Sequence, residues 1–497
     1  MYPKSGLVNG RHSVRQSVLP ERTIAIKSLN FQVKKFWADF LSEEKSASFD
    51  HSHCVSKKRL MLKQIFRMLK EIRLSHMLKG ISVMEKENRK EKSSFSPQNP
   101  EDISTLRFGF AFFKIGLTAY GMAILQQIKA LIIGNRWLSR EQVDEGIAMV
   151  QFYPGPIMYN LATYCSYRLK GFGGAALATF LFILPSYLLI LFLSWLYFAY
   201  GAVAWVHPLF LALEAMVIGV VSHVFLDFAG RYVTDQKGAI LASVAFLLLL
   251  FKIHALFVIL IALVLSVLLY FQSAEPPDSK PMARVGKDII PGKFSRRLFA
   301  ISIVGAIFLT IFLIGLFDHS TSGQLLFSMF KVGAVAFGSG FTIMPLLQQE
   351  AVLSHHWLTM KQFADGIAFG QITPGPFLIT ATFIGYKVSG VWGSALATVG
   401  MFFPSFFYTI VITEIYNRIK NSRWIRLAIR GIMSAFTGMI LFVTLSLGRV
   451  SLVSPATYIW AVGAFLLVRY YKINLLWIFL IGMAAALGFY FLKWPLG

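Results

Sequence analysis

Two lysines stand inside otherwise apolar stretches and are the first candidates for chemistry. Lys114 belongs to the stretch Phe110–Ile115, and Lys331 occupies the corresponding place in Leu325–Val332. A charge in the middle of a membrane helix costs about 2.5–3.5 kcal/mol unless it is paired or faces water, so such residues usually have a function. We therefore expect both ammonium groups to bind an anion. The alternative is that both side chains extend along their stems to the membrane surface.

A second pair of candidates follows the lysines, because the motif Gln-x-x-Pro-Gly-Pro occurs twice. The copies are Gln151–Pro156 and Gln371–Pro376, about 220 residues apart. Two prolines remove backbone donors and glycine relaxes the dihedral angles, so a helix has to break at each copy. In lipid, a broken helix is tolerated only where it is buried in protein or lines a wet cavity. Paired breaks in two repeats point to the binding site of a secondary transporter; the alternative is a packing kink without function.

Hydrogen-bond donors surround both breaks and suit a compact oxyanion with two negative charges. Each glutamine amide can donate two hydrogen bonds. A helix that resumes after the break would also direct free amides and its positive dipole end at the same cavity. A further cation follows each break, for which the alternative is a charge at the membrane edge. The predicted substrate-binding residues are Lys114, Gln151, Pro154, Gly155, Pro156, Arg168, Lys331, Gln371, Thr373, Pro374, Gly375, Pro376 and Lys387, with Tyr153, Asn160 and Thr380 as additional neutral donors.

Acidic residues are few in the apolar regions, and two of them occupy equivalent places. Glu145 and Asp365 each stand six residues before the glutamine of the motif. An ionisable group inside a membrane often belongs to a proton relay, so this pair is predicted to couple substrate movement to proton movement. The alternative is a helix-start residue that the helix dipole favours. Glu214 and Glu350 have no counterpart in the other half.

Signatures of enzymes and metal sites are missing from the sequence. It contains no Gly-x-x-x-x-Gly-Lys-Ser/Thr loop, no His-Glu-x-x-His motif and no credible nucleophile–base triad. Enzyme activity and ATP-driven pumping by this chain are therefore not expected, and no cofactor and no metal are predicted. The adjacent histidines His355 and His356 are interpreted as interfacial. Cys54 and Cys165 form no disulfide framework.

Composition indicates an integral membrane protein. The chain has 497 residues, of which 56% are hydrophobic, and a mean hydropathy of +0.61. Runs such as Ala255–Phe271 and Leu298–Phe317 approach the roughly 20 apolar residues that span the hydrocarbon core. The net charge of +24 is interpreted as basic cytoplasmic loops and a basic leader, so the lipid bilayer is an expected partner and nucleic acid is not. The sequence sets no oligomeric state, although two fused repeats already supply a complete binding unit.

The duplication divides the chain into large units. Its spacing is far longer than that of a solenoid, so each copy is a bundle of about six apolar elements, the first two at roughly 106–133 and 141–166. The predicted fold is an all-α polytopic membrane protein with two homologous repeats and about 10–13 transmembrane segments. We predict a polar basic leader at 1–104, a first repeat at 105–271, a basic cytoplasmic linker at 272–297, an extra transmembrane helix at 298–317 and a second repeat at 318–497.

Loop charges predict that the two repeats are inverted relative to each other. If the leader and the linker are both cytoplasmic, the extra helix starts the second repeat on the opposite face. The loop after the third element has no Lys or Arg at Tyr200–His207 in the first repeat, but four basic residues lie between Arg418 and Arg426 in the second. The loop after the fourth element shows the opposite asymmetry. Against this scheme, Arg136 and Arg140 would lie outside if the first two elements cross the membrane. The alternative is that these two elements are re-entrant, which would change the number of crossings but not the inversion.

These motifs resemble those of the chromate ion transporters of the long-chain, two-repeat type. The shared order is Phe-Lys-x-Gly-x-x-x-x-Gly, Trp-Leu and Gln-x-x-Pro-Gly-Pro in both halves, and the resemblance covers about Leu106 to the C-terminus. It implies a multi-pass protein of the cytoplasmic (inner) membrane that exports chromate with the proton-motive force and gives chromate resistance. It also implies repeats of opposite orientation. The first half departs from the family pattern at Tyr120-Gly121-Met122 and at Ser166, where a glycine is common.

Three alternatives remain open from the residues alone. A carrier of sulfate or another physiological anion would present the same donors, since lysines and amides recognise only charge and shape. An anion channel is favoured if Glu145 and Asp365 prove dispensable. A non-transport membrane enzyme would need a nucleophile–base pair, which the sequence does not offer. The motifs also leave the direction of transport open.

Overall fold

The described part of the chain is almost entirely helical. The computed structural model describes residues 103–491 apart from 122, 201–206, 272–293, 339, 420–421 and 474. Most of the predicted leader at 1–104 and of the linker at 272–297 therefore lies outside the described residues. The helices of the first repeat are α1 (Thr105–Thr118), α2 (Ala123–Gly134), α3 (Arg140–Met149), α4 (Ile157–Tyr200), α5 (His207–Tyr232), α6 (Gln236–Leu250) and α7 (Ala255–Tyr270).

The extra helix and the second repeat follow in the same order. Strand β1 (Gly155–Pro156) precedes α4, and strand β2 (Phe337–Gly338) follows α9. Short 3₁₀ turns at Phe341–Ile343 and Phe377–Ile379 precede α10 and α12. The helices are α8 (Phe294–Phe317), α9 (Thr321–Val335), α10 (Met344–Gln348) with a π-helical turn (Gln349–Ser354), α11 (Met360–Ile372), α12 (Thr380–Ile419), α13 (Arg423–Ser451), α14 (Pro455–Arg469) and α15 (Leu475–Phe491).

The helices that lead into the two breaks begin with the same capping box. Before α3, the Ser139 hydroxyl accepts from the Gln142 amide, and the Gln142 side chain accepts from the Ser139 amide. Thr359 and Gln362 make the same pair of bonds before α11. A capping box satisfies two amides that the first helical turn leaves free, so it fixes where a helix starts. The distance from helix start to break is therefore set locally in both repeats.

Two short helical hairpins open the first repeat. In the first hairpin, the Phe108 ring near the start of α1 lies 5.5 Å from the Trp137 ring that follows α2, so the two helices are antiparallel. In the second, α3 folds back onto α4, and the Tyr164 hydroxyl donates to the Gln142 carbonyl at 3.3 Å. Helices of 10–14 residues reach about 15–21 Å, short of the roughly 30 Å hydrocarbon core. Both tips therefore end inside the membrane.

The second repeat opens with an equivalent pair of hairpins. Ser328 on α9 contacts His355 after the π-helical turn, with 3.1 Å between Oγ and Nε2. The α11 helix folds back onto α12, so that Gly366 lies against the Phe383 ring. The sequence predicted one apolar element at 106–133 and one at 141–166, the second broken at its Pro-Gly-Pro motif. Each forms a hairpin, because the backbone leaves the helix at residues 119–121 and 150–156.

The long helices α4 and α12 each consist of two arms. Gly171 in α4 and Gly390 in α12 have φ of 63° and 58°, which turns the chain sharply. The arms of α12 are antiparallel, because the hydroxyls of Thr382 and Thr398, sixteen residues apart, share a 2.7 Å hydrogen bond. The first arm of each helix completes a short hairpin. The second arm is long enough to cross the membrane.

Membrane-crossing helices are fewer than the apolar segments. Among the described residues, five helices have the length and composition to cross, namely α4, α5, α8, α12 and α13, and five shorter apolar helices accompany them. The predicted number of 10–13 transmembrane segments counts the apolar elements, and half of these ten helices are too short to span the hydrocarbon core. The hairpin of α1 and α2 also returns Arg136 and Arg140 to the face from which α1 enters. Both arginines therefore lie on the side of the basic linker, as the charge rule requires.

The second arm of α4 runs alongside the second hairpin of the other repeat. The Ser186 hydroxyl donates to the Pro374 carbonyl at the tip, at 2.6 Å. About three turns further along, the Tyr197 hydroxyl donates to Asp365 Oδ2, also at 2.6 Å. Asp365 lies towards the start of α11. This arm therefore leaves the tip towards the face at which α11 begins.

The second arm of α12 makes the reciprocal contacts with the first repeat. Thr409 accepts from the Tyr153 hydroxyl beside the tip, at 2.8 Å. Glu414, farther along the arm, accepts from Tyr167 at 2.8 Å, near the turn that ends the first arm of α4. Each long arm thus ends on the face from which the other repeat starts. The two repeats have opposite orientations in the membrane, as the loop charges predict.

We expect cysteines placed at the two arm turns to react from opposite sides of the membrane. Gly173 and Val391 are exposed positions directly after the turns, and each can be replaced by cysteine in a chain without Cys54 and Cys165. An impermeant thiol reagent added to intact cells should label Val391→Cys but not Gly173→Cys. Permeabilised cells serve as the control, because both positions should then react. Labelling of both variants in intact cells would contradict the inverted arrangement.

Candidate functional site

The tips of the short hairpins meet in pairs between the repeats. Strand β1 pairs in parallel with β2, and Tyr120 forms a parallel bridge with Gly375. The Gly155 amide donates to the Ala336 carbonyl, and the Gly375 amide donates to the Ala119 carbonyl at 2.9 Å. Broken helices inside a membrane need partners for their free backbone groups, and each repeat supplies them to the other. We name this meeting of residues 119–121, 153–157, 335–338 and 373–377 the tip crossing.

Glycine is required in both Pro-Gly-Pro motifs by backbone geometry and by space. Gly155 and Gly375 have φ of 132° and 102°, which L side chains rarely adopt. A Cβ on Gly375 would overlap the Ser186 hydroxyl, and one on Gly155 would lie 2.7 Å from the Ser405 hydroxyl. The two serines belong to the Pro-Ser pairs that occur once in each repeat. The duplicated Pro-Ser pair therefore places a hydroxyl against the tip of the other repeat.

Buried polar groups without partners lie at the tip crossing. Among the described residues, neither the Asn160 amide nor the Ser405 hydroxyl has a hydrogen-bond partner, and both lie beside Gly155. The Gln371 amide nitrogen, directly before the other tip, also lacks one. A buried polar group left without a partner costs about 1–3 kcal/mol. Such groups in one place indicate a ligand, and amide and hydroxyl donors suit an oxyanion.

The crossing contains part of the predicted substrate site. The segments Pro154–Pro156 and Pro374–Pro376 form its tips, and Gln371 is buried against it. Thr373 is buried too, but its hydroxyl donates to a carbonyl of its own helix at 2.7 Å. Gln151 is exposed, and its amide donates to the preceding helix at 3.1 Å. The two glutamines, equivalent in sequence, are therefore not equivalent in structure.

The four predicted cations also differ in their surroundings. Lys114 and Lys387 are exposed, and the Lys387 ammonium lies 5.1 Å from the centre of the Phe198 ring. Arg168, the counterpart of Lys387, is buried. Lys331 is 26% exposed and bonded to a carboxylate. Only Lys331 and Arg168 are thus held inside the protein.

Lys331 is paired with a buried glutamate. Its Nζ lies 2.9 and 3.0 Å from the two carboxylate oxygens of Glu350, which is 3% exposed. The same carboxylate lies 3.4 Å from Nε2 of His254, at the tip between α6 and α7, and 3.6 Å from Nε2 of His355. An anion that binds Lys331 therefore has to compete with an internal carboxylate.

The predicted proton-coupling residues are both buried. Asp365 accepts the hydrogen bond from Tyr197 and faces the carboxyl group of Glu214 on α5. Glu145 is buried at the equivalent place in the first repeat, and Tyr416, the counterpart of Tyr197, lies within electrostatic range of it. Each acid thus lies near a tyrosine from the long arm of the other repeat.

Sequence reasoning gave no role to several residues that contact the site. Glu214 and Glu350 have no counterpart in the other repeat, and neither His254 nor Ser186 stands out in the sequence as a candidate for binding. Their partners are far away along the chain, so periodicity could not pair them. One signal was available: a lone acid within an apolar helix is costly and needs a partner.

The fold and the site together define a polytopic membrane transporter built from two repeats with broken helices. The sequence profile described as "Chromate transporter" matches residues 106–267 and 323–489. The chain therefore belongs to the chromate transporter family. The two matched regions coincide with the two repeats, which confirms the resemblance found in the motifs.

Relatives with curated descriptions span most of the chain. The chromate transport protein of Cupriavidus metallidurans is 28% identical over 377 residues, which is 73% of this chain and 88% of the relative. The chromate transport protein of Pseudomonas aeruginosa is 28% identical over 71% of this chain and 83% of the relative. An uncharacterized transporter of Methanocaldococcus jannaschii is 28% identical over 80% of this chain and 97% of the relative. No solved structure shows significant similarity to the chain.

Proposed function

We propose that the chain is a secondary transporter that exports chromate across the cytoplasmic membrane and gives chromate resistance. The tip crossing carries this proposal, because it gathers buried donors without partners where broken helices from both repeats meet. The family and the curated relatives support chromate as the substrate. Chromate is a tetrahedral dianion, and its four oxygens can accept from amides, hydroxyls and a lysine at once.

Substrate recognition in this proposal combines neutral donors with one cation. The amides of Gln371 and Asn160 and the Ser405 hydroxyl have free capacity to donate. Lys331, one turn before the end of α9, supplies the charge, and its competition with Glu350 keeps the anion from binding irreversibly. A pocket of preorganised neutral donors holds an oxyanion without the desolvation cost of many buried charges. The predicted residues Arg168, Lys114 and Lys387 would act at the entrances.

Proton coupling is assigned to the equivalent acids Glu145 and Asp365. Each lies on the helix that leads into a hairpin tip, and each lies near a tyrosine of the long arm from the other repeat. A change of protonation at either acid alters its interaction with the tyrosine. The protonation state is thereby linked to the position of the long arm that carries the tyrosine. Movement of one set of hairpins against the other would then expose the tip crossing to alternate faces, as in other transporters with inverted repeats.

Everted membrane vesicles test the proposed function directly. Energised vesicles should accumulate chromate, an uncoupler should abolish the accumulation, and sulfate should compete only weakly. Full competition by sulfate would move the substrate to another physiological oxyanion. Chromate flux that does not depend on the proton gradient would indicate an anion channel. No chromate flux in vesicles that contain the folded protein would refute the proposal.

The two glutamines of the Pro-Gly-Pro motifs should differ in their effect on transport. Gln371→Ala removes a buried donor, and hydrogen bonds to charged groups contribute about 1.5–3 kcal/mol, so transport should fall about 10- to 100-fold. Gln151→Ala should cost much less, because that side chain is exposed. Gln324→Ala, remote from the tips, is the control. Initial rates of chromate uptake measure all three, and equal losses for Gln371→Ala and Gln151→Ala would contradict the assignment.

A further inference from the structure

Two buried carboxyl groups face each other on one side of the tip crossing. Glu214 on α5 and Asp365 on α11 are each only 1% exposed. Their side chains lie within hydrogen-bonding range of each other. Among the described residues, both oxygens of Glu214 and Oδ1 of Asp365 have no hydrogen-bond donor. Ionised carboxylates can only accept, so the pair as two anions leaves three buried acceptors unsatisfied.

Other polar groups surround the two carboxyl groups. The Ser451 hydroxyl on α13 is buried and lies beside Glu214, to which it can donate a hydrogen bond. Tyr197 on α4 donates to the remaining oxygen of Asp365 at 2.6 Å. Lys361 on α11 acts on both acids electrostatically. One proton placed between the two carboxyl groups would turn one acceptor into a donor and relieve the repulsion of two like charges in a buried site.

The equivalent acid of the first repeat has different neighbours. Glu145 lies within electrostatic range of Tyr164, as does the buried cation Arg168. The counterpart of Glu214 would lie on α13, where the chain has Met433 and Ser434 and thus no acid. The second repeat therefore places its buried acid against another acid, whereas the first repeat has no acid at the corresponding position of α13.

We propose that Glu214 and Asp365 hold one shared proton and that, of the two acids assigned to proton coupling, Asp365 in this pair carries the proton that drives transport. The proposal deepens the proposed function and rests on it for the substrate. The pair lies towards the face at which α11 begins, opposite the basic linker. A proton that enters from the outer side therefore reaches it before the tip crossing.

One arm connects the proton site to the substrate site. The second arm of α4 is bonded to Asp365 through Tyr197 and to the tip carbonyl of Pro374 through Ser186. When the shared proton leaves, the extra negative charge strengthens the hydrogen bond from Tyr197, because charge-assisted hydrogen bonds are stronger than neutral ones. When a proton arrives, this bond weakens and frees the arm to shift at the tip. The protonation state thus sets how tightly the arm holds the Gly375 tip.

Purified full-length protein in proteoliposomes separates coupling from substrate transport. Exchange of labelled chromate at equal pH needs no net proton movement, whereas accumulation under an imposed pH gradient does. Glu214→Gln should keep exchange but lose the gradient-driven accumulation, which for one coupled proton is about tenfold per pH unit. Glu214→Asp should restore part of it. Asp227→Asn, on the same helix and paired with Arg231 at 3.1 Å, is the matched control and should behave like the unchanged protein.

The other possible outcomes of the proteoliposome experiment also test the shared-proton proposal. Undiminished accumulation by Glu214→Gln would overturn the shared-proton proposal. Equal loss of exchange and accumulation would assign Glu214 to binding or folding and overturn it as well. If the unchanged protein exchanges no chromate, the proposed function fails, and the proton site is then decided by the spectroscopic test.

Infrared spectroscopy detects the shared proton without any substrate. At neutral pH, the unchanged protein should show the carbonyl stretching band of a protonated carboxyl group. This band should disappear in Glu214→Gln and in Asp365→Asn, because the remaining acid alone can ionise, and it should persist in Asp227→Asn. A spectrum of Glu214→Gln that retains the band would overturn the proposal, whatever the transport assays give.

Discussion

Replacement of Lys331 by alanine will abolish chromate transport and also destabilise the protein. Lys331 is the partner of the buried Glu350 carboxylate, and removal of one member of a buried ion pair leaves the other charge unpaired. Such losses are about 3–5 kcal/mol, and we expect the lower end because Lys331 is 26% exposed. Thermal unfolding of the solubilised protein measures the loss of stability, and vesicle uptake measures transport.

The double variant Lys331→Ala/Glu350→Ala separates the two roles of this lysine. With both charges removed, most of the lost stability should return, since no uncompensated carboxylate remains. Transport should stay abolished if Lys331 binds the substrate. Lys129→Ala is the control, because Lys129 and Asp144 form a pair with side chains 31% and 51% exposed, and such pairs contribute about 0–1 kcal/mol. Recovery of normal transport by the double variant would show that Lys331 only supports the structure.

Replacement of Gly375 by alanine will have the second large effect, because it changes the tip crossing itself. The residue has φ of 102°, and strain of this kind costs about 1–3 kcal/mol. The added Cβ would also overlap the Ser186 hydroxyl. We expect the tip to move, the hydrogen bond to the Ala119 carbonyl to break, and chromate uptake to fall to background even where the protein still inserts in the membrane.

Gly463→Ala provides the matched control for this substitution. Gly463 lies within α14 with open space around its Cα, so a methyl group meets nothing there. Alanine is preferred to glycine within a helix, and this variant should keep both stability and uptake. Normal uptake by Gly375→Ala would show that the tip crossing is not needed for transport.

Local features of the fold could be predicted from the sequence. The duplication, the breaks at Pro-Gly-Pro, the membrane location and the inverted orientation all follow from residue types and their spacing. Proline and glycine act on their own backbone, and loop charges act on their own loop, so these effects do not depend on distant parts of the chain. The same holds for the capping boxes at Ser139 and Thr359, which fix where α3 and α11 begin.

The length of the broken elements was not apparent from hydropathy alone. An apolar stretch such as 106–133 is long enough to cross the membrane as one helix, and the sequence predicted it as one element. The end of α1 at Thr118 and the contact between Phe108 and Trp137 reveal a hairpin. Burial of both helices against the long arm of α4 favours the hairpin. Hydropathy could not show this, because an apolar residue can face either lipid or another part of the protein.

The tertiary structure alone decided which residues act together. The pairing of Gly375 with Tyr120, of Glu350 with Lys331 and His254, and of Glu214 with Asp365 joins segments from different hairpins or different repeats. The sequence by itself determined that this chain is a two-repeat membrane protein with broken helices and an anion-binding character. It left the two glutamines and the two acids equivalent, because duplicated motifs look alike. Folding placed Glu214 beside Asp365, whereas the corresponding position of α13 has no acid to lie beside Glu145, and burial turned that difference in neighbours into a difference in chemistry.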